Sequence, residues 1–187
     1  MNQENHPKRR VQSVRGRSRS INLLTEGAMI AALYTASTLL LAPLSYGPLQ
    51  LRVAEALTLL PVLTPTAPIG LTVGCIIANA IGVATGSNSC GVADILFGSL
   101  ATLLAAYVSR WLRNVTIGKA KLPILAALAP PIFNGLIVGA ELALIFKLPF
   151  WVCALQVGCG ELLVTMLLGI PLCVVLRRLK FFSDENR

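Results

Sequence analysis

The sequence predicts an all-α membrane protein, a bundle of six transmembrane helices with both termini in the cytoplasm. Hydrophobic residues make up 55% of the 187 residues and charged residues only 13%, whereas a soluble domain carries about 25% charged residues. Residues 27–51, 56–93 and 122–140 contain no charged side chain, and a helix needs about 20 apolar residues to cross a bilayer. Too few polar side chains remain to cover a water-facing surface, so lipid is the expected solvent.

The apolar stretches divide into six predicted helices. They cover residues 22–42 (capped by Asn22 or Thr25), 51–63, 67–84, 92–112, 122–146 (with Pro130 and Pro131) and 150–179 (with Pro171). The prolines predict kinks in the last two helices, because proline lacks an amide hydrogen and clashes with the preceding turn. The second helix rises only about 20 Å, less than the roughly 30 Å hydrocarbon core. It therefore needs protein around it or a thinned bilayer.

The distribution of basic residues predicts the orientation. With six spans and the N-terminus inside, all sixteen basic residues except Arg52 and Lys147 lie on the inner side. With five spans, the basic loop after the fourth helix and the C-terminus would fall outside, against the positive-inside rule. Residues 1–20 are predicted to be a basic, disordered cytoplasmic tail near anionic lipid, residues 21–182 the transmembrane domain, and residues 183–187 a cytoplasmic tail. This pattern accounts for the net charge of +8 without nucleic acid.

Polar residues gather in the outer half of the predicted bundle. Ionisable groups are costly within a membrane, so each one is a candidate site residue. The candidate ligand-binding residues are Arg52, Glu55, Asn79, Asp94, Asn134, Glu141, Gln156 and Glu161, with the aromatic residues Tyr46 and Trp151. Ionised carboxylates only accept hydrogen bonds, so this set suits a planar ligand rich in N–H donors that stacks on aromatic rings, and it suits a phosphate poorly.

Some of these residues also allow a purely structural interpretation. Arg52 and Glu55 are three residues apart and can simply pair with each other. Asp94 can cap the fourth helix, and Tyr46 and Trp151 can belong to an interfacial aromatic belt. Both interpretations stay open for these five residues.

Glu141 and Glu161 are harder to explain structurally, because a buried carboxylate needs a partner. Asn134 lies seven residues before Glu141 and shares its helix face, so the two are expected to line one wall of a pocket.

On the first helix, Ala28, Ala32 and Ala36 recur every four residues. Such an alanine stripe allows close helix approach in lipid, either inside the bundle or against another subunit.

The sequence offers little for catalysis or metal binding. The five cysteines form no metal-ligand pattern, and the only histidine, His6, lies in the basic tail. The cysteines are expected to be apolar packing residues. No phosphate-binding loop is present, so the chain itself is not expected to hydrolyse ATP. We therefore expect no enzyme activity, no metal site and no cofactor.

Five segments together resemble the QueT family, the substrate-binding membrane subunits (S-components) of energy-coupling factor (ECF) transporters assigned to queuosine precursors. The resemblance covers residues 26–179, and its segments are 51–61 (LRVAEALTLLP), 94–103 (DILFGSLATL), 133–141 (FNGLIVGAE), 149–151 (PFW) and 158–161 (GCGE). The combination is fairly specific, whereas any one segment alone is not.

The resemblance implies a six-helix S-component in the plasma membrane that captures a 7-deazaguanine, such as a queuosine precursor, from outside. It would dock through the alanine stripe on a transmembrane coupling subunit that carries two ATPase subunits. Glu141 or Glu161 would accept from the ring N–H and exocyclic amine, Asn134 or Gln156 would bind the carbonyl, and Asp94 or Glu55 would meet an aminomethyl ammonium. The alternatives are an S-component for another small vitamin-like ligand and a stand-alone permease.

Overall fold

Every regular element in the described part of the chain is a helix. The computed structural model describes residues 6–47, 50–118 and 122–179, with side chains from Ser20 onward. The 3₁₀ helix, Val53–Val62, lies between α2 and α3, a three-residue 3₁₀ turn, Leu112–Asn114, follows α4, and a π-helical segment, Thr165–Gly169, joins α7 to α8. The α-helices are α1 (His6–Leu40), α2 (Ala42–Ser45), α3 (Ala67–Ala84), α4 (Val92–Trp111), α5 (Ile124–Ala127), α6 (Ala129–Phe146), α7 (Phe150–Val164) and α8 (Ile170–Arg178).

Five helical stretches of the described chain are long and apolar enough to cross a membrane. Apolar side chains on the outside of the bundle, such as Leu40 (82% exposed) and Leu144 (81%), suit contact with lipid. The predicted helical membrane bundle is therefore confirmed, whereas a sixth crossing and the side of each terminus stay predictions. The five stretches are Ser20–Leu40, Ala67–Ala84, Val92–Asn114, Ile124–Phe146 and Phe150–Arg178.

The predicted second helix is a buried 3₁₀ helix. Its ten residues rise about 20 Å, since a 3₁₀ helix advances about 2.0 Å per residue. Eight of those ten residues are buried, and the helix packs against α1, α3, α4, α5, α7 and α8. Protein rather than lipid therefore surrounds this short element, and its side chains Leu59 and Leu60 join the main apolar core.

The first helix begins earlier than predicted. It starts at His6, so neither Asn22 nor Thr25 caps it; the Thr25 hydroxyl instead donates to the Ile21 carbonyl at 3.0 Å within the helix. The backbone is thus helical over most of the segment that we expected to be a disordered tail. Residues 1–5 of that predicted tail, and the predicted C-terminal tail 183–187, lie outside the described residues.

The internal prolines coincide with interruptions in the last two spans. The helix breaks at Leu128, between α5 and α6, directly before Pro130 and Pro131. The π-helical segment directly precedes α8, which has Pro171 near its start. A proline cannot donate to the carbonyl four residues earlier and its ring crowds that carbonyl, so the backbone deviates at these points.

Glycines let neighbouring helices approach closely. A Cβ atom on Gly139 of α6 would lie 2.6 Å from the Ala154 Cα of α7, and one on Gly74 of α3 would lie 2.8 Å from the Ala31 carbonyl oxygen of α1. No side chain fits at such distances, so both helix pairs meet backbone to backbone. The α6–α7 contact also fixes the relative position of Asn134 and Glu161, one on each helix.

Gly139→Leu should destabilise the protein, because the added side chain forces α6 and α7 apart. Overpacking of this kind costs about 1–3 kcal/mol. The measurement is the midpoint of thermal unfolding in detergent. Gly27→Leu on α1 is the matched control, since a Cβ at Gly27 meets nothing within 4 Å. Equal midpoints for the two variants would contradict the backbone-to-backbone contact.

Candidate ligand-binding site

Seven of the predicted site residues are buried in the bundle. Five of them lie towards the end where the 3₁₀ helix and α4 begin and α3 and α6 end, whereas Asn134 and Glu161 lie deeper, on α6 and α7. Each of the seven has an exposed fraction of 4% or less. Charged groups at this depth are unusual in a membrane protein and indicate a functional site. We refer to these residues as the polar cluster: Arg52, Glu55, Asn79, Asp94, Asn134, Glu141 and Glu161.

An ion pair joins the 3₁₀ helix to α4. Arg52 Nη2 lies 2.6 Å from Asp94 Oδ2, and both side chains are buried. Asn88 Nδ2 donates to the same Asp94 oxygen at 2.7 Å, while Asn79 Nδ2 donates to the Asp94 carbonyl at 2.8 Å. The proposed pair of Arg52 with Glu55 is therefore wrong. So is a capping role for Asp94, because the N-cap of α4 is Gly91, without a side-chain hydrogen bond.

Tyr46 covers the arginine from the segment after α2. The Arg52 guanidinium carbon lies 5.5 Å from the centre of the Tyr46 ring, within the range of a cation–π contact. The Tyr46 hydroxyl donates to the Ala78 carbonyl at 2.7 Å. Burial raises the pKa of Tyr46 to about 12, so the phenol keeps the proton that it donates at neutral pH. The structure thus brings Tyr46 to the edge of the polar cluster.

Glu55 receives its hydrogen bond from α1. The Tyr34 hydroxyl donates to Glu55 Oε1, and the other oxygen, Oε2, has no hydrogen-bond partner among the described residues. The Thr58 hydroxyl donates to the Glu55 carbonyl at 2.5 Å. One carboxylate oxygen is therefore fixed by the protein, and one is available to a ligand.

Glu161 and Asn134 meet across the α6–α7 contact. Asn134 Nδ2 donates to Glu161 Oε2 at 2.6 Å. Glu161 also lies within electrostatic range of Glu55 and Arg52. Glu161 thereby links α6 and α7 to the 3₁₀ helix. The pair offers a ligand two kinds of group, the Glu161 carboxylate as an acceptor and the Asn134 side-chain amide.

Glu141 differs from the other carboxylates. It is 4% exposed, and neither of its oxygens has a hydrogen-bond partner in the part of the chain that the structure describes. It lies within electrostatic range of Asp94 and Arg52, which places it with the polar cluster. Leaving a buried carboxylate without donors costs several kcal/mol. A ligand with N–H groups is the simplest source of the missing donors.

The cluster as a whole is rich in acceptor oxygens that lack donors. Besides both oxygens of Glu141, the described residues leave Glu55 Oε2, Asn79 Oδ1 and Asp94 Oδ1 without a hydrogen bond. A buried polar atom in a native protein is normally satisfied. Five such acceptors in one buried region can receive several hydrogen bonds from a ligand rich in donors.

Trp151 does not join the polar cluster. Its side chain is 69% exposed and packs edge-on against Phe150, with 4.8 Å between ring centres. It lines a different feature, an apolar groove of about 340 Å³ on the surface of α6 and α7. Gln156 is half-buried on α7.

The alanine stripe lies on the outer surface of α1. Ala28, Ala32 and Ala36 are exposed, while Ile30 and Tyr34 on another face of the helix are buried. In the described part of the chain this face of α1 is therefore not covered by another helix.

Sequence reasoning missed two residues of the site. Tyr34 donates to Glu55, and Asn88 donates to Asp94. Tyr34 was detectable as the one tyrosine in the first apolar stretch, since a buried phenol usually needs a partner. Asn88 lies in the loop between α3 and α4, and nothing in its sequence context marks it. Among the described residues no group of histidine, cysteine and carboxylate side chains suits a metal ion.

The fold and the site define a multi-pass helical membrane protein with a buried, acceptor-rich polar site. A family model described as QueT transporter matches residues 24–178. The chain belongs to this family and is a membrane transport protein. Searches of curated proteins and of solved structures found no match.

Arg52 and Asp94 should behave as one energetic unit. Removing one partner of a buried ion pair costs about 3–5 kcal/mol, because the other charge stays buried without compensation. We expect Arg52→Met and Asp94→Asn each to lower the thermal midpoint, and the double variant to lose clearly less than the two losses combined. A double-mutant cycle on thermal unfolding measures this coupling. Strictly additive losses would argue against the pair.

Proposed function

We propose that this protein is the substrate-binding subunit, or S-component, of an ECF-type ATP-driven importer, and that it captures a queuosine precursor of the 7-deazaguanine class. The observation that carries the proposal is the set of buried acceptor oxygens without donors on Glu55, Asn79, Asp94 and Glu141. Membership in the QueT transporter family supports the same assignment.

A 7-deazaguanine matches this set chemically. It is a flat ring with an N–H and an exocyclic amine on one edge, a pyrrole N–H, and in aminomethylated precursors an ammonium group. Glu141, with both oxygens available, would accept from the ring N–H and the exocyclic amine. Asp94 or Glu55 would meet the ammonium. Asn134 or Gln156 would bind the ring carbonyl, with Glu161 holding the Asn134 amide in place.

The proposal includes six membrane crossings, with both termini in the cytoplasm of the plasma membrane. In this topology the ends of α4 and α8, which carry Arg110, Arg177 and Arg178, face the cytoplasm. The polar cluster then faces outwards, where an import substrate arrives. The buried 3₁₀ helix makes the sixth crossing inside a wall of protein.

The partners in the proposal are a transmembrane coupling subunit and two ATPase subunits. The exposed alanine stripe supports a docking role, because small residues allow a second helix to approach closely in lipid. The chain would contribute ligand capture, while the partners would supply ATP hydrolysis. Neither an enzymatic role nor a resident cofactor is part of this proposal.

Glu141→Gln should lower the affinity for 7-aminomethyl-7-deazaguanine by about tenfold or more, because hydrogen bonds to a charged group contribute about 1.5–3 kcal/mol. Isothermal calorimetry on the purified full chain measures the affinity. Guanine and riboflavin serve as comparison ligands that test which class of compound binds. Glu26→Gln on α1 is the control variant, whose affinity should stay unchanged. Binding of another ligand alone would keep the S-component assignment but reject the queuosine precursor.

Transport should require the partner subunits. Liposomes that contain only this chain should take up no 7-deazaguanine, and adding the coupling and ATPase subunits with ATP should start uptake. Ala32→Leu in the alanine stripe should reduce that uptake strongly while leaving ligand affinity intact; Ala80→Leu, on an exposed face of α3, should not. Uptake by this chain alone would instead support the permease alternative.

A further inference from the structure

A polar cavity lies at the opposite end of the bundle from the polar cluster. Its volume is about 530 Å³, and it is lined where the 3₁₀ helix and α4 end and by the last turn of α8. The polar lining residues are Arg110, Arg113, Asn114, Thr116 and Arg177. We call this the basic cavity.

The basic cavity has the chemistry of an anion site. Three guanidinium groups and two neutral polar side chains line it, and its described lining includes no acidic residue. Arg110 is held in position, since its Nη1 donates to the Pro61 carbonyl at 2.9 Å. Planar guanidinium groups match phosphate oxygens with paired N–H donors, so a phosphate group is the best ligand for this arrangement.

The surroundings of the basic cavity are typical of a membrane interface. Trp111, at the end of α4, is 81% exposed, and exposed tryptophans at helix ends are enriched at the level of lipid headgroups. Val175 on α8 and Leu179, directly after α8, are also exposed and apolar, so they suit contact with acyl chains. A phosphate that reaches this cavity along the membrane therefore arrives attached to a lipid.

We infer that the basic cavity binds the phosphate headgroup of an anionic phospholipid. Arg113, from the turn that follows α4, and Arg177 on α8 contact the headgroup, and Arg110, fixed by Pro61, forms the floor of the site. The bound lipid bridges the ends of the 3₁₀ helix, α4 and α8. This inference is independent of the ligand that the polar cluster binds.

Tryptophan quenching by brominated lipids tests the inference on the full chain. Trp151→Phe leaves Trp111 as the only fluorophore of its kind, beside the basic cavity. The protein is reconstituted in phosphatidylcholine vesicles with a minor fraction of phosphatidylglycerol, and one or the other lipid is brominated on its acyl chains. We expect brominated phosphatidylglycerol to quench Trp111 more strongly at equal mole fraction.

Charge-neutral variants locate the site. Arg113→Gln combined with Arg177→Gln should lower the relative binding constant for phosphatidylglycerol by about fivefold per arginine. Arg178→Gln is the matched control. It is exposed next to Arg177 but does not line the cavity, so its effect is screened and should stay below about twofold. Arg113→Gln alone, at an exposed position, serves if the double variant is unstable.

Three results would overturn the inference. The first is equal quenching of Trp111 by the two brominated lipids when the arginines of the basic cavity are unchanged. The second is a preference that inorganic phosphate removes while chloride at equal ionic strength does not, which would assign the cavity to free phosphate. The third is that the double variant keeps its preference for phosphatidylglycerol but no longer copurifies with the partner subunits. That result would assign the cavity to an acidic segment of a partner protein.

Discussion

The buried contact between Arg52 and Asp94 sets the positions of most other groups in the polar cluster. Two charges held 2.6 Å apart and away from water stabilise each other only while both are present. Asn79 and Asn88 then have to orient around Asp94, and Tyr46 stacks over Arg52. The first residue before the 3₁₀ helix is thereby tied to the first turn of α4, and the start of the 3₁₀ helix gains a defined position inside the bundle.

A second constraint comes from small residues at the helix contacts. In lipid no hydrophobic effect drives helices together, so close backbone approach supplies much of the attraction. Gly139 against Ala154 joins α6 to α7, and Gly70 and Gly74 join α3 to α1. These two contacts carry Glu161 and Asn134 on one side, and Tyr34 on the other, towards Glu55. Helix packing through residues outside the polar cluster therefore brings these side chains together.

The sequence predicted the number and order of the apolar segments well, because hydrophobic length and charge-free runs directly reflect the membrane. Ala67–Ala84 has the bounds that the sequence predicted, and the last two predicted helices are both interrupted shortly before their internal prolines. The 3₁₀ conformation of Val53–Val62 was not predictable, because it results from the protein that surrounds this segment. The early start of α1 at His6 was missed because a basic composition indicates disorder.

Within the site, sequence reasoning identified residue types better than partners. Buried carboxylates stand out in an apolar sequence, so Glu55, Asp94, Glu141 and Glu161 could be recognised without a structure. Which group each one contacts depends on helix rotation and on contacts between distant segments. Arg52 therefore pairs with Asp94, forty-two residues away, rather than with its near neighbour Glu55. Trp151 shows the same dependence, since only the rotation of α7 decides that it faces outwards.

The same elements connect the two polar ends of the molecule. The 3₁₀ helix runs from Arg52 and Glu55 at one end to Pro61, whose carbonyl accepts from Arg110, at the other. Along α4, Asp94 and Arg110 occupy the first and last turns. Because the 3₁₀ helix contacts six other helices, a shift at either end would be absorbed by its neighbours or transmitted along its length. Gly169 in the π-helical segment packs closely against it, since an added Cβ would lie 3.1 Å from Leu59 Cδ1. Single π-helical turns within α-helices are frequently found at functional positions. A π-helical turn therefore lies directly against the element that connects the two polar ends of the molecule.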